Sequence, residues 1–157
     1  MMRYPHDVAK TRIKTEMGPV GSTVAEQVRI HRERVGMSYA ELSRQLLKDG
    51  RIIPPLGLSR IEAGLRRVDA DDLVSLAVAL GVSPISLLLP AGTDQDAEVS
   101  ITAARTAKAK RVWSWLSASY PLDGSVLQFY SDALPPWERV AVEDALGAAN
   151  PSGTRHH

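Results

Sequence analysis

The chain contains no cysteine, which excludes disulfides, thiolate metal sites and cysteine nucleophiles together and fits a reducing, cytoplasmic setting. No apolar run approaches the roughly 18 residues needed to span a bilayer, and the N-terminus lacks the apolar stretch of a signal peptide. A membrane partner is therefore not expected. There is no Gly-rich phosphate loop, no pair of histidines with metal spacing, and no serine motif with a base in view. The expectation is a non-enzyme with no metal and no other cofactor. Aromatic residues are scarce as well, with one phenylalanine, three tryptophans and four tyrosines.

What is present divides unevenly along the chain. The 157 residues are 44% hydrophobic, enough for one ordinary core, or a small core with a satellite. The overall charge of +1 hides an asymmetry: residues 22–68 hold nine Lys/Arg against five Asp/Glu, whereas 91–157 hold six against eight. A basic segment of that kind suits a phosphate-binding face and is also compatible with a merely solvated surface.

Residues 1–21 mix charges with Pro5, Gly18, Pro19 and Gly21 without a sustained period, and read as a flexible arm. From Thr23, Val24, Val28, Ile30 and Val35 mark a helix ending at Gly36. Ser38 with Glu41 forms a capping-box signal before the stripe Leu42, Leu46 and Leu47. After the turn dipeptide Asp49-Gly50, a third helix starts near Pro54 or Pro55, runs through Leu58, Ile61 and Glu62, and stops at Gly64. Asp69 caps a fourth helix carrying Leu73, Leu76, Ala77 and Leu80 to Gly81, and Ser83-Pro84 opens a short fifth ended by Pro90. These signals predict a five-helix domain over 22–90.

Residues 91–102 lose the periodicity and are expected to be a linker. Beyond it, 103–149 reads as a small helical region: Ala103 to Ser119, Val126 to Leu134, and a last helix opened by Pro135-Pro136-Trp137 and running to Ala148. Residues 150–157 read as a disordered tail. The predicted class is thus all-α. Trp113 and Trp115 would point about 200° apart on a helix, so one core cannot easily receive both. Two readings stay open for them, a two-sided intramolecular core and a dimer interface. Lys108, Lys110 and Arg111 would then lie on an Ala-rich helix, as a solvated face or a further DNA contact.

Ser38-Tyr39-Ala40-Glu41-Leu42-Ser43, Leu58-Ser59-Arg60-Ile61-Glu62-Ala63-Gly64, and Leu73 to Val82 resemble, in that order, the successive signatures of the Cro/lambda-repressor (XRE) helix-turn-helix family. Arg66-Arg67-Val68-Asp69 and the later Trp113-Ser114-Trp115-Leu116 are similar to regulators of actinobacteria and their phages. The resemblance covers about 68 residues and implies a five-helix lambda-repressor-like domain that binds duplex DNA. Its implied function is sequence-specific transcriptional regulation, as a repressor and in particular a phage immunity repressor. The alternative is an antitoxin-like or accessory protein whose C-terminal region binds a protein partner. A homodimer through the C-terminal region is the other expected association.

Carried over by position, the resemblance makes Tyr39 a phosphate donor. It places Pro55, Leu56, Gly57, Ser59 and Arg60 on the base-facing part of the recognition helix, with Arg60 suited to a guanine edge. Arg66 and Arg67 fall in the loop that clamps the backbone, and Arg44 on the second helix joins the expected DNA contacts. It also implies that Arg32 pairs with Glu62 to hold the scaffold. Two departures stand out. The connection Leu47 to Ile53 is about five residues longer than usual, which brings in Arg51 as a further DNA-contacting candidate, with a plain surface insertion as the other reading. The recognition helix opens with Pro54-Pro55-Leu56-Gly57, where few side chains can hydrogen-bond to bases. Leu56 is then suited to a thymine methyl and Gly57 to a close approach of backbone to DNA.

Overall fold

The computed structural model of the chain describes residues 16–90, 92 and 94–141. The expected arm over 1–15, the end of the last expected helix and the tail lie outside the described residues. Helix α1 spans Pro19–Arg34 and begins inside the expected arm. Its proline occupies the first turn, where a missing N–H has no intrahelical partner to lose. Helix α2, Tyr39–Lys48, carries the full capping box: Ser38 Oγ accepts from the Glu41 N–H at 3.2 Å, and Glu41 Oε2 accepts from the Ser38 N–H at 2.8 Å. That reciprocal pair fixes where α2 begins.

Helix α3 spans Pro55–Glu62. Helix α4, Ala70–Leu80, is capped by Asp69, which accepts the Asp72 N–H at 2.7 Å. Helix α5, Pro84–Leu88, follows the Ser83 cap. The inner faces of α1 to α5 meet in one apolar core that includes Val28, Leu42, Leu46, Leu58, Ile61, Leu76 and Leu87, all fully excluded from solvent. Each leucine or isoleucine so buried contributes about 1.5–3 kcal/mol against the entropy of ordering the chain. Leu47, expected in the apolar stripe of α2, lies outside the core at 59% exposure.

The connection between α2 and α3 is anchored at three points. Gly50 takes a left-handed turn at φ 78°, which glycine adopts without a Cβ clash. Ser43 Oγ donates to the Ile53 carbonyl at 2.7 Å. The Ile53 side chain enters the core, only 1% exposed. The loop is therefore part of the packed domain.

The expected all-α class requires correction. Strand β1, Glu98–Thr102, falls in the segment expected as linker, and β2, Arg105–Lys108, in the segment expected as helix. They pair antiparallel, Glu98 opposite Lys108 and Val99 opposite Ala107. The alternation in Glu98-Val99-Ser100-Ile101-Thr102 turns Val99 and Ile101 inward, and that burial overrides the helix preference of the Ala-rich stretch after it. Helix α6 is accordingly short, Ala109–Leu116, and is followed by α7, Val126–Ala133, and helical residues at 136–141.

A second, much smaller cluster holds Val99, Ala109 and Val112, with Leu89, Ile101, Ala107 and Leu116 at its edge. Strand β1 packs against α1, so the hairpin rests on the first core. Among the described residues no helix is long and apolar enough to cross a membrane.

Candidate nucleic-acid interface

Helix α3 has two faces with different duties. Leu58 and Ile61 are buried inward, while Leu56 is 61% exposed and Arg60 and Ala63 are also exposed. At 100° per residue, Leu56, Ser59, Arg60 and Ala63 fall within about 100° of one another, which defines a single outward stripe. Pro54 and Pro55 at its start are exposed and supply no backbone N–H. Among the described residues the Arg60 guanidinium has no hydrogen-bond partner.

The orientation of α3 is fixed by a nearly buried ion pair. Arg32 Nε and Nη2 donate to the two oxygens of Glu62 at 2.6 and 2.8 Å, and Nη1 donates to the Met37 carbonyl at 2.9 Å. The side chains are 12% and 4% exposed. A bidentate pair in that setting has its donors and lone pairs matched, so removing either partner strands a buried charge.

Tyr39 belongs to this cluster. Its hydroxyl donates to Glu62 Oε2 at 2.9 Å, and the Arg32 guanidinium lies 4.4 Å from its ring centroid. The hydrogen bond to Glu62 is the main reason its pKa is raised. The expected phosphate donor thus has its single proton directed into the scaffold.

A second ion cluster forms around Asp72, which is 1% exposed. Arg51 Nε donates to Oδ1 at 2.7 Å and Arg66 Nη2 to Oδ2 at 2.9 Å. Arg51 Nη2 also reaches Asp69 at 3.1 and 3.2 Å. The Asp72 hydrogen bond raises the Arg51 pKa, and the backbone N–H of Asp72 holds the Asp69 carboxyl below its usual range. Arg51 and Arg66, expected at the DNA, therefore fasten the long connection and the loop after α3 to the start of α4.

Gly57 makes room for this arrangement. A Cβ at that position would stand 2.8 Å from Arg66 Nη1 and 3.2 Å from Ile53 Cγ2, so the space beside Gly57 is occupied by Arg66. The close approach expected of Gly57 is made by a side chain of the same protein. Arg44 is exposed on α2, and Arg67, also exposed, donates to the Glu16 carbonyl, which ties the chain entering α1 to the loop after α3.

Of the residues expected to touch DNA, Leu56, Ser59 and Arg60 come together on one outward stripe, and Pro55 is exposed at the start of α3. The scaffold roles of Asp72 and Ser43 and the exposure of Ile52, at 75%, were missed. One signal was available: Asp72, Leu76 and Ala79 share a helical face, and a carboxylate on an apolar face calls for a cation.

Elsewhere, a cleft of about 720 Å³ on the hairpin and α6 is lined by Arg105, Lys108, Lys110 and Arg111. Asp123 pairs with Arg105 and lies 3.9 Å from Arg111, and Lys108 meets Asp96 at 3.3 Å. With Glu98 also in its wall, three carboxylates offset most of that positive charge, so the cleft is a weak anion site.

Residues 23–88 match a family model described as a helix-turn-helix domain. The matched segment holds both ion clusters and the whole of α2 and α3, and the match supports a DNA-binding transcription regulator. Among solved structures, the chain is similar to a hypothetical transcription factor, NHTF, from Neisseria, at 28% sequence identity. That likeness covers 46% of this chain and 77% of the other, with a TM-score of 0.41. No curated protein matches the chain.

Proposed function

We propose that the chain is a sequence-specific duplex-DNA-binding repressor of the Cro/lambda-repressor (XRE) kind, acting in the cytoplasm on the DNA of a bacterium or its phage. The observation that carries this reading is the outward stripe of α3, with Arg60 unpaired on it among the described residues, held by the Arg32–Glu62 pair within the segment matching a helix-turn-helix domain. A recognition helix inserted in the major groove reads base edges with such a stripe, while flanking cations position the protein on phosphates. Arg60 reads guanine; Arg44 and Arg67 contact the backbone. In a phage setting the reading becomes immunity repression.

Selection of bound duplexes from a random pool, followed by affinity measurements across salt, tests this proposal. Arg60→Ala relaxes one base preference by about 1–3 kcal/mol, whereas Arg67→Ala weakens all sequences and flattens the salt slope. Absence of salt-dependent duplex binding by the folded protein refutes the reading. A second reading, an accessory protein whose C-terminal region binds a protein or a second copy of the chain, is favoured by exposed apolar side chains there. Trp137 is 74%, Leu127 71% and Trp113 45% exposed. A symmetric selected site and a concentration-dependent mass would support the homodimer.

A further inference from the structure

The outward face of the DNA-reading region is apolar where a reading surface ordinarily carries hydrogen-bonding side chains. Resting on the DNA-binding proposal above, we propose that Ile52 and Leu56 read the C5-methyl groups of thymines in the major groove, next to the guanine read by Arg60. Three observations converge on this occupant. Leu56 is 61% and Ile52 75% exposed, although Ile53 between them and the core residues Leu58 and Ile61 are buried, so the chain turns apolar side chains in both directions over five residues. The polar groups nearby are engaged inward, with Arg51 and Arg66 on Asp72 and Tyr39 on Glu62. Finally, Arg60 stands one turn beyond Leu56 on the same outward stripe and has no side-chain partner among the described residues, so a cation borders the apolar surface.

That border decides between a nucleic-acid edge and an apolar protein partner. A thymine methyl is an apolar group displayed within a strongly anionic polymer, and it matches an apolar tip beside a cation. The spacing also suits the major groove. Leu56 and Arg60 are separated by about 6 Å along the helix axis and by about 40° around it. A helix lying along the groove sets them roughly two base-pair steps apart, given about 3.4 Å per step. The proline pair at the helix start removes backbone donors that would otherwise need partners against the methyl groups. The expected site therefore holds thymines about two steps to one side of a guanine, on the side met by the start of α3.

The test replaces thymine by deoxyuridine, which deletes only the methyl group, at each position of a duplex selected by the full chain. Wild type should lose about fourfold in affinity at each thymine touched, the amount associated with one buried methyl. Leu56→Ala, a change at an exposed position, should bind the thymine duplex about as the wild type binds the deoxyuridine duplex. It should then be indifferent to the substitution at that position. Leu56→Met should restore sensitivity, and Ile52→Ala should abolish it at a different position. Equal binding of wild type to thymine and deoxyuridine duplexes overturns the methyl inference and leaves DNA binding standing. Failure to bind either duplex at low salt overturns the DNA reading itself. Sedimentation of wild type and Leu56→Ala addresses the competing occupant: a self-association lost in the variant overturns the inference in favour of a second copy of the chain.

Discussion

The segment from α1 to α5 and the segment from β1 onward solve the problem of staying folded in different ways. The first encloses its own core, with twelve residues in the buried cluster, and locks its helices with ion pairs that are largely out of water. The second has three residues in its buried cluster, leans its hairpin on α1, and keeps its ion pairs in solvent, as Arg105 and Asp123 are 50% and 64% exposed. The comparison shows where rigidity has been concentrated. It surrounds α3, the element proposed to present a fixed stripe to DNA, where a contact surface a fraction of an ångström out of place loses its hydrogen bonds.

Core truncations test the contrast at its largest. Leu46→Ala should cost about 2–5 kcal/mol, since Leu46 is fully buried and its removal leaves a cavity. Val112→Ala should cost about 1–2 kcal/mol. Chemical denaturation of the two variants measures both, and equal losses would erase the distinction between the regions. Ion pairs sharpen it further. Arg32→Met should destabilise by about 3 kcal/mol because Glu62 is left buried without its partner, whereas Arg105→Met should change stability by less than about 0.5 kcal/mol.

The smallest effect is a pH dependence. Burial is the main cause that holds the His31 pKa below 6.5, aided by the Arg34 cation and opposed by a hydrogen bond with the Ser86 backbone. Nδ1 of His31 and Oε1 of Gln27, one turn earlier on α1, are buried without a partner among the described residues. The unfolded chain therefore takes up a proton near pH 6.5 before the folded one does, and His31 contributes stability above that value which is lost as pH falls through the folded pKa. Melting temperatures between pH 7.5 and 5 should decline in wild type, and His31→Gln should flatten that part of the profile.

The local signals were the legible part of this fold. Ser38 with Glu41, Asp69 with Asp72, and Gly81 mark helix ends through contacts within four residues of one another, so their consequences can be read along the chain. The hairpin was hidden because Glu98 and Lys108 pair across ten positions, and the alanines between them favour a helix when taken alone. At the site, the outward row Leu56, Ser59 and Arg60 was readable from helical spacing. The ion pairs of Arg51 and Arg66, and the space that Arg66 takes beside Gly57, were not legible. The partner that claims both arginines, Asp72, lies 21 residues from Arg51, and only the folded loop brings them together. An arginine near a recognition helix looks the same in sequence whether it faces a phosphate or a buried aspartate.

The account stands on α3 being the surface that meets DNA, and the two regions supply their own control. Fluorescence anisotropy with one selected duplex, titrated by wild type, Arg60→Ala and Arg111→Ala under the same salt, makes the comparison directly. Arg60→Ala should lose about 1–3 kcal/mol of discrimination at a single base pair, and Arg111→Ala should match wild type on every sequence. Loss of discrimination in Arg111→Ala with Arg60→Ala unchanged would move the interface to the hairpin and α6 and contradict the account.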